Sequence, residues 1–483
     1  MSLCRRPALA AIGAVLMVLG GCRTLAPPAE ADLPFPVPST WTNANGSAST
    51  GPDSLVQWWL RFDDPLLAQL VAQALLANTS VNSAQAALRQ ARALRDVAAA
   101  GLLPSVGSSA SAQRSLTGNN DSSNSFRAGL DASWEIDIFG ANRSAQNASE
   151  ASARASAASL GDVQVSIAAE VALAYITLRS AQARLLIANA NLASQLETLQ
   201  LTQWRLQAGL VTALEAGQAL AVAEQTRAQL PVLQTSIAQT RHALAVLTGQ
   251  PPAALANLLA ADGPLPQAGN ELALSLPAET LRQRPDVRAA EFQVAGALAR
   301  MAQVEAARAP SFKIGGSLGL SALTLGGLFS AEAIAASLLA SVALPIFDGG
   351  AGLANVRAQQ AAFDQARLAY QTAVLTALKD VENALVALRG DRERLLHLQQ
   401  AADAAVEAAL LARQRYSSGL VDFQTVLETQ RTQLNTQDSV ASAQADISAD
   451  HVRLYKALGG GWIPETIGQN LRSGQPTNQT PPT

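Results

Sequence analysis

Phe126-Arg127-Ala128-Gly129-Leu130-Asp131-Ala132-Ser133-Trp134-Glu135-Ile136-Asp137-Ile138-Phe139-Gly140 is the stretch that decides the fold. Its side chains alternate: Phe126, Ala128, Leu130, Ala132, Trp134, Ile136 and Ile138 share one face of an extended chain. Arg127, Gly129, Asp131, Ser133, Glu135 and Asp137 share the other. This predicts one amphipathic strand, longer than the usual strand of about five or six residues. It is long enough to cross a bilayer, which takes about 9 to 11 tilted residues. After Gly140 the apolar period changes from two to about 3.6. A membrane-length strand therefore feeds a long helix.

Outward from this strand, Pro104 to Gln113 reads as a weaker strand of small residues, joined to it through a polar tip at Gly118-Asn119-Asn120-Asp121. Asp64-Pro65 opens a helix reaching about Ala100, with a break expected near Asn78. On the other side a helix runs from Ala141 to Gln207, where Val163, Ile167, Val171, Ala174, Leu178 and Ala181 recur at coiled-coil spacing. Gly209-Leu210-Val211 breaks it, a returning helix covers Ala213 to Leu247, and a Pro-rich connection leads to Pro277. The plan then restarts. Arg284-Pro285-Asp286 opens a helix to Arg308, strands follow from Pro310 and from Leu338 to Phe347, and a helix from Gly352 to Tyr416 ends at Gly419-Leu420-Val421. The last helix spans Phe423 to Leu458. Pro104 matches Pro310, Phe139 matches Phe347 and Gly209 matches Gly419 at a slowly drifting offset, which marks an internal duplication.

The domain plan is therefore a signal peptide at 1–21, a tether at 22–60, a first repeat at 61–250, a linker at 251–280, a second repeat at 281–461 and a tail at 462–483. Arg5-Arg6, the apolar run Ala8 to Leu19 and Leu19-Gly20-Gly21-Cys22 have the grammar of a bacterial lipoprotein signal. Cys22 would be the first mature residue, carrying a diacylglycerol and an N-acyl chain, and Arg23 after it favours the outer membrane. Cys4 and Cys22 are the two cysteines of the chain, so the mature protein would keep no free thiol for a disulfide, thiolate metal site or catalytic cysteine. The formal net charge of -3 recommends no nucleic-acid partner.

Each repeat supplies two strands, and four cannot close a barrel, while an open sheet edge is not tolerated in lipid. Closure must come from oligomerisation. Two chains would give the minimum of eight strands, and three would give about twelve with room for a lumen. The fold class expected is mainly α with a transmembrane β-barrel, four strands per protomer, continued by a long periplasmic α-helical coiled-coil barrel and closed by oligomerisation, which the resemblance carried by the motifs below implies to be trimerisation.

Trp134-Glu135-Ile136-Asp137-Ile138-Phe139-Gly140, Arg284-Pro285-Asp286-Val287, Pro345-Ile346-Phe347-Asp348-Gly349-Gly350 and Leu458-Gly459-Gly460-Gly461-Trp462 together resemble the TolC family of outer-membrane efflux factors. The lipobox and the Gly-Gly-Gly-Trp ending are similar to its NodT-type lipoprotein branch. The resemblance implies a homotrimeric channel-tunnel anchored in the outer membrane, extending into the periplasm, and docked to a periplasmic adaptor and an inner-membrane pump of the resistance-nodulation-division type. It would conduct drugs, metals or other small toxic solutes passively. The resemblance also implies a periplasmic gate near the helix-hairpin tips, Gly209, Leu210 and Val211 on one hairpin and Gly419, Leu420 and Val421 on the other. Glu428 falls where the family usually has an inward Asp, so threefold symmetry would make a carboxylate ring that attracts cations. Gln424 stands where close relatives carry an apolar constriction residue. Tyr416, Asp422 and Glu215 are the remaining gate candidates. An ordinary solvated position for Glu428, and simple C-cap roles for Gly209 and Gly419, stand beside these readings.

Two other readings of the chain remain open on residues alone: a type I secretion tunnel, and a lipid-anchored periplasmic scaffold, for which the weak strand after Pro104 and the low aromatic content argue. An enzyme is not indicated. Gly315-Gly316-Ser317-Leu318-Gly319 fits a nucleophile-elbow pattern but lies inside an alternating strand. His242, His397 and His451 have no metal-ligand spacing, and no metal or nucleotide cofactor is expected.

Overall fold

The computed structural model describes residues 35–42, 55–118, 121–269 and 277–463. Cys22 lies outside them. The described chain forms two compact units. One comprises residues 88–156 and 289–371; the other comprises 35–87, 157–288 and 372–463.

The first unit holds the sheet. Strands β1 (Ser105–Thr117), β2 (Asp121–Ile136), β3 (Ser311–Ala322) and β4 (Ile334–Ala343) pair antiparallel in the order β1-β2-β3-β4. The register joins the repeats directly: Leu130 of β2 lies opposite both Ser108 of β1 and Leu318 of β3, and Leu318 lies opposite Ala336 of β4. Because directly opposed residues share a face, the alternation of β2 propagates across all four strands. One face carries Val106, Phe126, Leu130, Trp134, Ile314, Leu318, Ile334, Leu338 and Val342, and the other Ser109, Ser111, Arg127, Asp131, Lys313, Ser317 and Ser337. The apolar face is bare. Leu338 is 83% exposed and Val106 69%.

Aromatic residues sit at the two ends of that face rather than along it. Phe126 lies toward the hairpin tips; Trp134 and Phe312 lie eight or more residues away, where the Trp134 indole donates to the Leu102 carbonyl and Phe312 meets Phe139. Eight strand residues span about 27 Å, matching the apolar band of about 25 Å in outer-membrane barrels. The few aromatics of this face thus stand where the two membrane interfaces would lie. The strands also pack closely where both side chains are absent. A Cβ on Gly319 would stand 2.6 Å from the Ala128 carbonyl oxygen and 2.8 Å from the Gly129 Cα.

Three strands end elsewhere than expected. β2 stops at Ile136, because the Asp137 carboxylate turns to accept the backbone N–H groups of Asn142 and Arg143 at the start of the following helix. β4 occupies Ile334–Ala343 instead of Leu338 to Phe347, ending before Pro345, which has no N–H for a ladder. β1 continues to Thr117, held by an unbroken antiparallel register with β2 that ends at Thr117 opposite Asp121.

Helices enter both units. α1 (Pro65–Ala77) and α2 (Thr79–Ala100) are separated at Asn78, whose side-chain oxygen accepts from Ser80 N–H. α3 (Ala141–Gln207) and α4 (Ala213–Leu247) form the first hairpin; α5 (Pro277–Gln283) and α6 (Pro285–Ala306) precede β3. α7 (Ala351–Ser417) and α8 (Phe423–Ala457) form the second. α3 and α7 have 67 residues each, and α4 and α8 have 35 each, so the repeats are equal in helix length.

The second unit is built on these helices. Its core includes Leu67, Leu70, Tyr175, Ile176, Leu178, Leu244, Val381, Val452 and Tyr455. Residues expected outside the two repeats join this core. The segment 22–60, expected to have no core of its own, contributes Trp41, Leu55, Trp58 and Trp59, with Trp58 fully buried and stacked on Tyr455 at 5.3 Å. The linker 251–280 contributes Leu255 and Leu259. Trp462, placed at the head of the tail, donates its indole N–H to the Gln283 carbonyl. Large apolar side chains bury themselves even when their neighbours in sequence are Pro, Ser and Thr.

Arg284 explains its own motif. Its guanidinium meets Asp286 at 2.6 and 3.0 Å and donates to the Ala457 carbonyl at 3.0 Å, joining the entry of α6 to the end of α8. Nearby, Asp450 is 1% exposed, its pKa pushed up to about 6 chiefly by burial, although Arg453 donates to it at 2.6 Å. His451, equally buried and beside Arg392, is shifted down by burial. The raised Asp450 binds a proton more tightly folded than unfolded, so its contribution to stability is present below the ordinary aspartate pKa and is lost as pH rises toward about 6. His451 acts in the opposite sense, favouring the fold as pH rises through the ordinary histidine range. Asp450→Asn should therefore raise the melting temperature relative to the native chain more at pH 8 than at pH 4.5, measured by thermal unfolding in detergent. An equal shift at both pH values would contradict this account.

Candidate functional site

The two hairpins of the second unit turn through the same backbone. Gly209 has φ of +70° and Gly419 of +73°, the left-handed conformation that side chains disfavour. Leu210 N–H donates to Arg205 C=O at 2.8 Å and Gly209 N–H to Leu206 C=O at 3.0 Å. Leu420 to Arg415 and Gly419 to Tyr416 repeat this at 2.9 and 3.0 Å. Both ends are Schellman caps, which stop a helix and reverse the chain. The returning helices are capped differently. Thr212 and Glu215 form a capping box on α4, while Asp422 accepts Thr425 N–H at 2.8 Å on α8. The Thr425 hydroxyl, donating at 2.6 Å, and then this N–H hold the Asp422 carboxyl below its ordinary pKa. Leu210 and Leu420 are 73% and 74% exposed, and Val211 and Val421 are half-buried.

Beneath the tips the hairpins are clamped together. Phe423, Leu427, Leu199, Ala219 and Val222 form a small buried cluster against which Tyr416 packs. The Tyr416 ring meets Phe423 at 5.3 Å on one side, and the Arg205 guanidinium lies 4.6 Å from its centroid. Its hydroxyl is buried with no hydrogen-bond partner among the described residues. Further along, α3 bonds α8 at Thr198–Gln430 (2.9 Å), Asn191–Gln437 (2.8 Å) and Arg184–Asp438 (2.7 and 3.0 Å). Arg413 of α7 donates to the Ser194 hydroxyl and approaches Glu197 at 3.8 Å. The seam is polar.

Of the residues expected at a gate, Tyr416 enters this clamp and Glu215 and Asp422 serve as helix caps. Gln424 and Glu428 are exposed, four residues apart and therefore on one face of α8. The single chain brings none of the described carboxylates to Glu428. Arg205 and Phe423 were not singled out from the sequence. Phe423 could have been, since Tyr416 and Phe423 flank the turn at positions that must face each other across a hairpin.

A bare apolar sheet face with open edges, joined to duplicated antiparallel helices, is a pattern with known counterparts. The Outer membrane efflux protein family model matches residues 70–250 and again 276–460. The chain belongs to the outer membrane efflux protein family. It is 35% identical over 455 residues to the pyoverdine export outer membrane protein OpmQ of Pseudomonas putida, spanning 91% of this chain and 95% of that protein. It is 29% identical over 454 residues to nodulation protein T of Rhizobium leguminosarum bv. trifolii, spanning 93% and 96%. The solved outer-membrane channel OprN superposes with a TM-score of 0.82 at 36% identity, covering 89% of this chain and 99% of that one. This family member is thus an outer-membrane efflux channel of the TolC and NodT type, and it shares the helical tunnel of those structures.

Within that family the clamp can be tested by its orphan hydroxyl. Tyr416→Phe keeps the ring under Arg205 and removes a buried unpaired group, so stability should be unchanged or higher by up to about 1 kcal/mol. Tyr416→Ala removes the ring and should cost about 3 kcal/mol. Thermal unfolding of both variants checks the pair; a large loss for Tyr416→Phe would mean the hydroxyl has a partner.

Proposed function

We propose that three copies of this chain form a twelve-stranded barrel that releases small organic solutes to the exterior, fed by a periplasmic adaptor and an inner-membrane pump of the resistance-nodulation-division type. The observation that carries it is the four-stranded sheet with one apolar face and two unpaired edges, β1 and β4. Such edges must pair in lipid, and an antiparallel β4-to-β1 pairing between copies would satisfy them. The family is one of efflux channels, so the chain supplies gating and passage rather than chemistry. Relatives named for export of pyoverdine and efflux of toluene favour small-molecule cargo over a secreted protein.

The lipid on Cys22 is an anchor additional to the barrel. Cys22→Ser should therefore remain in the outer-membrane fraction after alkaline or urea washing and migrate in detergent as a trimer. Release as a water-soluble monomer would leave an anchored scaffold instead.

Glu428 is the proposed aperture carboxylate, with Gln424 one turn away toward the tip. Threefold symmetry would bring three Glu428 carboxylates together on the axis. In planar bilayers Glu428→Gln should lose part of the preference for cations over anions while keeping trimeric assembly. An unchanged preference would assign Glu428 to the solvated outer surface.

A further inference from the structure

The loop between β3 and β4 runs Leu323-Thr324-Leu325-Gly326-Gly327-Leu328-Phe329-Ser330-Ala331-Glu332-Ala333, and Glu332 is its one ionisable residue. Leu323, Leu325 and Phe329 are exposed, the Phe329 ring to 88%. Single exposed leucines are ordinary on a protein surface, but three large apolar side chains within seven residues form a patch. The loop is also folded. Gly327 N–H donates to the Thr324 carbonyl at 3.1 Å, Ser330 N–H to Gly327 at 3.2 Å and Ala333 N–H to Ser330 at 3.1 Å. The Ser330 hydroxyl adds a bond to the Gly327 carbonyl at 2.8 Å. Water would satisfy such groups in an open loop, whereas a loop entering lipid must satisfy them itself.

Its place in the sheet points the same way. β3 ends at Ala322, opposite Phe126, at the outer limit of the apolar band. One step further along that face the β1–β2 hairpin turns polar, with Asn124 opposite Arg114. That hairpin runs five residue pairs past Phe126, about 17 Å, to its polar tip. The β3–β4 loop does not follow it. Gly327 turns back so closely that a Cβ there would stand 3.2 Å from the Cβ of Ala322, whose side chain shares the face of Leu318 and Leu320. The turn is therefore packed on the apolar side of the sheet, level with Phe126.

We propose that this loop is an interfacial anchor that beds Leu323, Leu325 and Phe329 into the outer leaflet beside the barrel. The inference rests on the barrel reading above, in which the apolar sheet face meets lipid. The loop continues that face, so acyl chains cover it; loops meeting one another across the lumen would leave from the serine-rich face instead. One anchor per chain fixes how deep the barrel sits, while the polar β1–β2 hairpins project into water.

Single cysteines at Phe329→Cys, at Leu318→Cys within the apolar band and at Ser122→Cys near the polar tip carry a nitrobenzoxadiazole dye. Labelled assemblies are reconstituted in phosphatidylcholine vesicles, and the native chain taken through the same labelling gives the background. Emission from Phe329→Cys should be blue-shifted, insensitive to aqueous iodide, and lost to doxyl-labelled lipid. A doxyl group high on the acyl chain should quench it more than one near the chain end, with the reverse order at Leu318→Cys. Ser122→Cys should respond to iodide alone. A Phe329→Cys dye quenched by iodide and not by doxyl lipid would overturn the anchor and leave the barrel intact. Protection from both quenchers would overturn it too, assigning the patch to contacts between copies. If doxyl lipid fails to quench Leu318→Cys, the barrel itself is refuted and the anchor with it.

Discussion

Every backbone N–H and C=O in a membrane must find a partner within protein, and this requirement governs the rest of the molecule. The four-stranded sheet meets it for β2 and β3 and leaves it unmet on one side of β1 and of β4. No rearrangement within the chain removes those edges, because four strands are too few to close into a barrel. The protein is consequently incomplete as a single copy, and its apolar face has no interior to cover it. The duplication follows the same logic. A repeat contributing two strands and two long helices places β2 beside β3, so one chain supplies a wall segment rather than two separate hairpins.

Strand and helix are joined by side chains that change the bonding partner of the backbone. Asp137 ends β2 by taking the first N–H groups of α3, and Asp348 does the same for α7 through Gly350 and Gly352 at 2.8 and 2.7 Å. Those bonds hold the exposed Asp348 carboxyl below its ordinary pKa. The conversion from period two to period 3.6 thus occurs over a few residues, with the first free donors of each helix taken by an Asp carboxylate. At the far ends of the same helices the Schellman glycines do the complementary work for carbonyls.

Much of this was legible in the residues because the signals are local. Gly209 with Thr212, and Gly419 with Asp422, mark helix ends by backbone conformation and capping, and α3, α4 and the start of α8 lie where the sequence places them. The alternation around Trp134 located β2. What escaped depends on contacts distant in sequence. Trp58 lies in a Pro- and Ser-rich neighbourhood, and its burial against Tyr455 has no periodic trace. The Arg205–Tyr416 contact joins two helices of different repeats, and β4 was displaced because its alanines and serines alternate too weakly to fix a boundary. Tyr416 and Glu428 could be named from resemblance, whereas the cation over the ring could not.

The helices are packed with the smallest side chain that still buries carbon. Ala148, Ala151, Ala155, Ala158, Ala168, Ala169, Ala172, Ala181 and Ala188 are buried along α3, and Ala377, Ala384, Ala402, Ala405, Ala409 and Ala412 along α7. Such an interior has little to lose by truncation and much to lose by growth, since an added methyl group must displace a neighbouring backbone rather than a flexible side chain. Enlargement is therefore the costly direction of change at these positions, and the spacing between the helices is held by the smallness of the residue that fills it.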